Sequence, residues 1–405
     1  MMQRTRTWPV FDEEQIAAVA EVLRSGRVNA WTGPDVTAFE REFAEHAGTG
    51  HAIAMANGTV TLDAALRALE LNPGDEVIVT PRSFVASASC VLLAGGVPVF
   101  ADVDPDSQNI TPATIAAVMT PRTRGIIPVH LAGWPCDMPA IMDLARTHGL
   151  WVIEDCAQAH GARIGDRTVG SFGTIGSYSF CQDKIMSTGG EGGMIVTDDA
   201  SLFARIWSFK DHGKDRALTF QTDPPPGFRW LHAAGPGTNL RMTCLAAAIG
   251  RIQLRRLPDW HRARHANVQR LAGGLRDLPL LRVPMPPRGV THAWYRFYAF
   301  IRPERLAPGW TRDRLLTDLT GQGLPVFSGT CPEIYREAIF AEPRHHPPRP
   351  LPVAQELGRT SLAFLVDPTW TEQELDRMVE AVTRTIKAAT RTFSPALPMF
   401  SGPAS

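Results

Sequence analysis

Between residues 50 and 200 the chain alternates short apolar runs with stretches of helical periodicity, and this rhythm constrains the fold more than anything else in its 405 residues. The runs Glu76–Thr80, Val97–Asp102, Gly125–His130, Leu150–Glu154 and Gly193–Thr197 have strand length and little polar alternation. Between them, Thr61–Leu69, Val85–Ala94 and Met138–His148 repeat their apolar residues at helical intervals. A strand without a polar face has to be covered on both sides, and helical crossovers make neighbouring strands parallel. The expectation is an α/β fold with a mostly parallel central sheet covered by helices. Ahead of it, Asp12 and Gln15 stand at capping-box spacing. Ile16, Val19, Val22 and Leu23 then continue a helix to Gly26.

Beyond residue 220 the rhythm changes. Pro224-Pro225-Pro226 through Gly237 is too rich in helix and strand breakers for regular structure. Two helical stretches follow, Leu245–Leu257 and His261–Leu275, then a strand-like run at Ala293–Ile301. Glu372–Ala388 reads as an amphipathic helix with Leu375, Val379, Val382 and Ile386 inward. This predicts a large domain over residues 1–258, a smaller C-terminal α/β domain over 259–392 and a flexible tail over 393–405.

Forty-one basic residues balance forty-one acidic ones, so no overall field favours nucleic acid or an anionic membrane. Six cysteines lie scattered without CxxC pairs, which suits reduced thiols in a cytoplasmic protein. Met1 to Phe11 contains no apolar core of a secretory signal. The most apolar window, Val85–Val103, is interrupted by Gly95-Gly96 and Pro98 and is not a membrane span. A soluble cytoplasmic protein is expected, with small molecules rather than nucleic acid or membrane as partners.

Asp155 ends an apolar run, in Trp151-Val152-Ile153-Glu154-Asp155. That places its carboxylate at a strand's C-terminal edge, where open α/β sheets bind ligands. By itself such an acid reads more often as a helix cap. Lys184 follows a β-like run ending Ser179-Phe180 and precedes Gly189-Gly190-Glu191-Gly192-Gly193, small residues that let a backbone approach a ligand. A lone lysine is usually a solvated charge. Asn57-Gly58-Thr59 opens a helix and suits either a phosphate or an ordinary N-cap. Phe84 opens the next helix, where it can stack on a ring or join the core. Gly170, Gly173 and Gly176 lack dinucleotide-loop spacing, and Cys156 with His160 is too little for a metal site. Together, an anion cradle, an aromatic ring, an acid and a lysine are what pyridoxal phosphate (PLP) requires of a protein, and the chain presents candidates for them in that order.

With Gly58-Thr59, Glu154-Asp155-Cys156-Ala157-Gln158-Ala159-His160-Gly161, and Ser179-Phe180 followed by Lys184, the chain resembles the DegT/StrS group of sugar aminotransferases. Gly237-Thr238-Asn239-Leu240-Arg241-Met242-Thr243 extends the resemblance, which covers roughly residues 12 to 390. It implies fold type I, PLP as cofactor and pyridoxamine phosphate as intermediate. It further implies that Lys184 forms the Schiff base and moves protons, that Asp155 pairs with the pyridine nitrogen and that Gln158 contacts the ring's hydroxyl side. Gly58, Thr59 and Ser179 would bind the phosphate, Phe84 would stack on the ring, and Asn239 would reach the phosphate from a neighbouring subunit. A site shared in that way implies a homodimer.

The expected reaction moves an amino group from glutamate or glutamine to a nucleotide-linked keto-sugar, with Arg229, His232 and Arg241 as candidates for its diphosphate. Phe327-Ser328-Gly329-Thr330-Cys331-Pro332-Glu333 departs from the histidine- and proline-rich substrate loop of many nucleotide-sugar members. Other readings are a keto-cyclitol aminotransferase, a dehydrating or lyase-type PLP enzyme of the same fold, and a non-catalytic PLP-binding regulator.

Overall fold

The apolar runs become a sheet sealed from water. Every residue of Glu76–Val79, Ile175–Ser179 and Gly193–Thr197 is buried. The computed structural model describes residues 7–220, 226–227, 232 and 234–391. Its central sheet has seven strands, in the order His51–Met55, Gly193–Thr197, Ile175–Ser179, Trp151–Asp155, Thr123–Ile127, Glu76–Val79, Val97–Phe100. Gly193–Thr197 runs antiparallel to both neighbours, and every other pairing is parallel. The remaining six strands therefore share one direction, and the chain leaves them at residues 55, 79, 100, 127, 155 and 179 on the same edge. This edge carries the site.

The β-like run ahead of Lys184 is the strand Ile175–Ser179. His51–Met55 has no counterpart among the expected strands: it is alanine-rich and lacks the β-branched run that marks a strand in sequence. Helix Met138–His148 has the bounds its periodicity predicts. The first helix, Glu13–Ser25, starts at Asp12, whose carboxylate accepts the Gln15 N–H, and stops at Gly26 in the left-handed region.

The two helices expected around residue 258 are one, Cys244–Leu275, with Pro258 inside it. A proline removes one helical hydrogen bond. Here the apolar stripe continues on both sides of it. Cys244, Ala247, Leu254 and Leu257 pack into the core beside the sheet, whereas Val268, Leu271, Ala272 and Leu275 pack into a second core. The helix thus spans two hydrophobic cores, and residue 258 lies between its two buried halves.

The second core backs a four-stranded antiparallel sheet ordered Leu281–Arg282, Phe297–Ile301, Ser361–Phe364, Val326–Phe327. Helix Glu372–Ala389 covers it, with Leu375, Val382 and Ile386 buried and Val379 partly so, behind a capping box of Thr371 and Glu374. The strand expected from residue 293 begins only at Phe297, because Trp294 sits at φ 53° and turns the chain. The turned segment is instead bonded to the turn Leu131–Gly133 beside the central sheet: the N–H groups of Ala293 and Tyr295 donate to Gly133 and Ala132 carbonyls at 2.8 and 2.9 Å. No helix among the described residues is long and apolar enough to cross a membrane.

Candidate active site

Parallel topology delivers Asp155, the last residue of its strand, to the shared edge, where it is 4 % exposed. Ser87 Oγ donates to its Oδ2 at 2.8 Å and the Ala157 N–H to its Oδ1 at 3.1 Å. Burial pushes its carboxyl above the usual range; Ser87, Ala157, Lys184 and His130 offset this only in part. Among the described residues it is a buried acid with two donors and no ion-paired cation.

Lys184 follows the neighbouring strand Ile175–Ser179. Its Nζ lies 3.9 Å from Asp183 Oδ1 and 5.0 Å from the centre of the Tyr295 ring. Its carbonyl accepts the Trp8 indole N–H at 2.7 Å, so the N-terminal segment holds the lysine's backbone. Trp8 in turn lies edge-on to Trp260, 4.9 Å between ring centres, with the Arg264 guanidinium 5.3 Å from its own ring.

Asn57 caps helix Gly58–Ala68, its side chain accepting from Thr59 and Val60 N–H. The N-cap reading of this segment is therefore realised, and the cradle reading stands beside it. A Cβ on Gly58 would lie 2.4 Å from Ser179 Cβ. Only glycine permits that approach, which brings the helix start and the Ser179 hydroxyl together. Gly193 is under the same constraint from Asn57, whose carbonyl oxygen would lie 2.4 Å from a Cβ there. Phe84 is 65 % exposed, a large apolar ring with no place in the core. Gln158 Oε1 accepts the Ala132 N–H at 2.7 Å, which leaves its NH2 as the group to offer a ligand.

The substrate candidates separate. Arg229 lies outside the described residues. His232 is exposed, with Nδ1 2.8 Å from the His212 carbonyl oxygen. Arg241 is bound to buried Asp211 at 2.7 Å, which Lys214 also contacts at 2.8 Å. Asn239 is exposed and its Oδ1 accepts the Arg241 N–H.

Beneath the site, His130, Glu154 and Cys156 bring metal-type donor atoms together. His130 Nδ1 accepts the Cys136 N–H, so its Nε2 carries the proton shared with Glu154 at 3.1 Å. Glu154 also accepts from Gly170 and Gly173. These lone pairs are already occupied, and the group is a hydrogen-bonded support under the Asp155 strand. His160, fully buried among Tyr178 and Phe180, is held down to about 3 by burial and by Lys184, so its ring is neutral.

Of the residues that bond to Asp155, Asp183 and Lys184, Ser87, Tyr295 and Trp8 carry no signal in the sequence, because they lie 68 or more positions from those partners. Asp183 has one, its place beside Lys184.

A buried acid lacking a cation, with a lysine near enough to perturb it, is what the protonated pyridine ring of PLP completes. The glycine-lined helix start and the bare Phe84 ring suit the cofactor's phosphate and face. On this sheet topology the class is a PLP-dependent transferase of fold type I. The chain belongs to the DegT/DnrJ/EryC1/StrS aminotransferase family, whose profile matches residues 9–383. It is 38 % identical over 349 residues to a UDP-N-acetyl-3-dehydro-alpha-D-glucosamine 3-aminotransferase of Acidithiobacillus ferrooxidans, covering 86 % of this chain and 88 % of that one. A dTDP-3-amino-3,4,6-trideoxy-alpha-D-glucose transaminase of Streptomyces venezuelae is 33 % identical, with 91 % of each chain covered. The crystal structure of an aminotransferase from Psychrobacter cryohalolentis superposes with a TM-score of 0.92 at 50 % identity, covering 95 % of this chain and 99 % of that one. The chain is a PLP-dependent sugar aminotransferase.

Proposed function

We propose that this enzyme moves an amino group from glutamate or glutamine to the keto carbon of a nucleotide-linked sugar, in the cytoplasm and as a homodimer. The observation that carries the catalytic part is that Asp155 ends one strand while its parallel neighbour Ile175–Ser179 leads into Lys184, whose charge acts on the Asp155 carboxyl. Bound PLP supplies an electron-withdrawing ring that stabilises negative charge on a substrate carbon. Asp155 keeps the proton on the ring nitrogen, and Ser87 and the Ala157 N–H orient the carboxylate that does so. Lys184 Nζ would hold the cofactor's aldehyde carbon and, when free, would take the proton from the donor's α-carbon and return one to the acceptor carbon.

Gly58, Thr59 and Ser179 hold the phosphate, Phe84 stacks on the ring, and the Gln158 NH2 meets the ring's hydroxyl. Asn239 reaches the phosphate of the partner subunit. Exposed Phe11, Ile16 and Leu23 on and beside the first helix support burial against a second copy. Arg229 and His232 meet the sugar diphosphate, and Arg241, paired with Asp211, anchors that loop. The lobes are assigned as residues 1–258 and 259–392, with 393–405 as a tail. Two relatives named for UDP- and dTDP-linked sugars support the acceptor class.

The test is transfer of label. Glutamate or glutamine carrying ¹⁵N is incubated with a panel of keto-sugar nucleotides and keto-cyclitols, and products are read by mass spectrometry. Label on a nucleotide sugar is expected. Label found only on a cyclitol would replace the acceptor class, and turnover by Lys184→Ala would remove the lysine from its role.

A further inference from the structure

We infer that Tyr295 and Asp183 form a resting cradle for the free amine of Lys184, built across the junction of the two lobes, and that Tyr295 is a positioning residue for that lysine. The inference rests on Lys184 being the lysine that carries PLP. Such a lysine is released during each half-reaction, and its charged amine then needs a defined place. An unrestrained lysine side chain loses rotamer entropy each time it is brought back to one geometry.

Two unlike groups meet that amine. Asp183 Oδ1 is 3.9 Å from Nζ, within ion-pair range and beyond a hydrogen bond. The Tyr295 ring centre is 5.0 Å away, within the range of a cation–π contact. Both contacts are attractive and neither is a tight bond, so the amine is held without being trapped. The Tyr295 hydroxyl donates to Asp183 Oδ2, which locks the two parts of the cradle together across 112 residues of sequence. Tyr295 comes from the turned segment ahead of Phe297–Ile301, fixed to the large lobe through Ala132. Asp183 comes from the lysine's own loop, whose backbone Trp8 holds.

Arg296 explains how the cradle can be vacated. Its guanidinium lies 3.6 Å from Asp183 Oδ2 and 4.4 Å from the Tyr295 ring centre. When the Lys184 amine leaves for the cofactor, Asp183 keeps a cation and a hydroxyl donor. No unpaired carboxylate is left behind, so departure costs little.

The experiment reads amine reactivity and not turnover. Cofactor-free full-length protein is treated with limiting acetic anhydride, and labelling of Lys184 is measured by peptide mass spectrometry relative to exposed Lys387. Tyr295→Leu, which removes ring and hydroxyl, is expected to raise the ratio about tenfold, and Asp183→Asn about threefold. Tyr295→Phe keeps the ring and is expected to stay within about twofold of the native protein. An unchanged ratio in Tyr295→Leu protein with a native melting curve would overturn the cradle. A Phe variant as reactive as the Leu variant would overturn the role of the ring. Should Tyr295→Leu not fold, an unchanged ratio in Asp183→Asn has the same force. Borohydride reduction of PLP-loaded native protein, with peptide mapping, separately locates the cofactor. A label-bearing lysine other than Lys184 there would end the reading on which the cradle rests, whatever the acetylation ratio.

Discussion

Two aspartates perturbed by the same lysine are shifted in opposite directions. Asp155, at the sheet edge, is buried and held above the ordinary carboxyl range. Asp183, at the lobe junction, is half exposed and held below it. Burial raises both; the difference is in what offsets it. At Asp183, Lys184, the Tyr295 hydroxyl and Arg296 together outweigh burial. At Asp155, a serine, one backbone amide and more distant charges do not. The junction carboxylate is complete within the protein, whereas the edge carboxylate lacks a cation. A site completed only by its ligand is a binding site, and a site already complete is a support.

The largest test of this contrast is catalytic. Asp155→Asn cannot hold a proton on the pyridine nitrogen, and kcat should fall by about a thousandfold, roughly 4 kcal/mol of transition-state stabilisation. Asp183→Asn leaves that proton alone and should cost about tenfold or less. Steady-state kinetics on both PLP-loaded variants decide it. Equal losses would erase the distinction between binding acid and supporting acid.

The next effect is steric. Gly58→Ala places a methyl 2.4 Å from Ser179 Cβ, and a clash between backbone-anchored atoms costs roughly 1–3 kcal/mol. The helix start and the end of Ile175–Ser179 must then separate. PLP affinity, followed by fluorescence quenching, should drop at least tenfold, while the junction around Asp183 is untouched. A Gly58→Ala protein that binds PLP normally would show that this close approach does not shape the phosphate end.

Stability should reverse sign between the two acids. Asp155 binds its proton more tightly folded than unfolded, so it contributes no penalty below the ordinary value of 3.8 and its full penalty once pH has risen past the native value. At neutral pH, Asp155→Asn should therefore stabilise the cofactor-free protein, by about 1 kcal/mol. The amide is accommodated, since the Ser87 hydroxyl can turn to Ser83 Oγ 3.0 Å away. Asp183 is the opposite case: its contribution is present above 3.8 and is lost as pH falls through its depressed native value. Asp183→Asn should destabilise, by under about 1 kcal/mol because solvent screens a half-exposed pair. Thermal melts of both at pH 7 give the signs directly.

The same contrast explains what was legible in the sequence. Asp155 and Ser179 end strands, Gly58 starts a helix and Lys184 lies in the turn after Ser179, and such places follow from short-range patterning. Their convergence follows once the strands are parallel. Ser87 and Tyr295 lie within a helix and within a turned segment whose shape comes from Trp294 at φ 53°. Nothing local marks a serine on a buried helix face as the partner of an acid 68 positions away. Pro258 misled for a related reason: a breaker is only a local preference, and the two cores on either side of it outweigh that preference.

The smallest prediction sets one hydroxyl against another. Ser87→Ala and Tyr295→Phe each remove a single hydroxyl donor to an aspartate. At the edge, the loss leaves Asp155 with the Ala157 N–H alone, poorly oriented for a ring nitrogen, and PLP affinity should weaken about fivefold, near 1 kcal/mol. At the junction, Arg296 and Lys184 still face Asp183, so the Phe variant should bind PLP within about twofold of native. Titrating PLP into both cofactor-free variants side by side measures the difference. If the tyrosine variant proved the weaker binder, the junction would have to be counted as part of the cofactor site and not as its support.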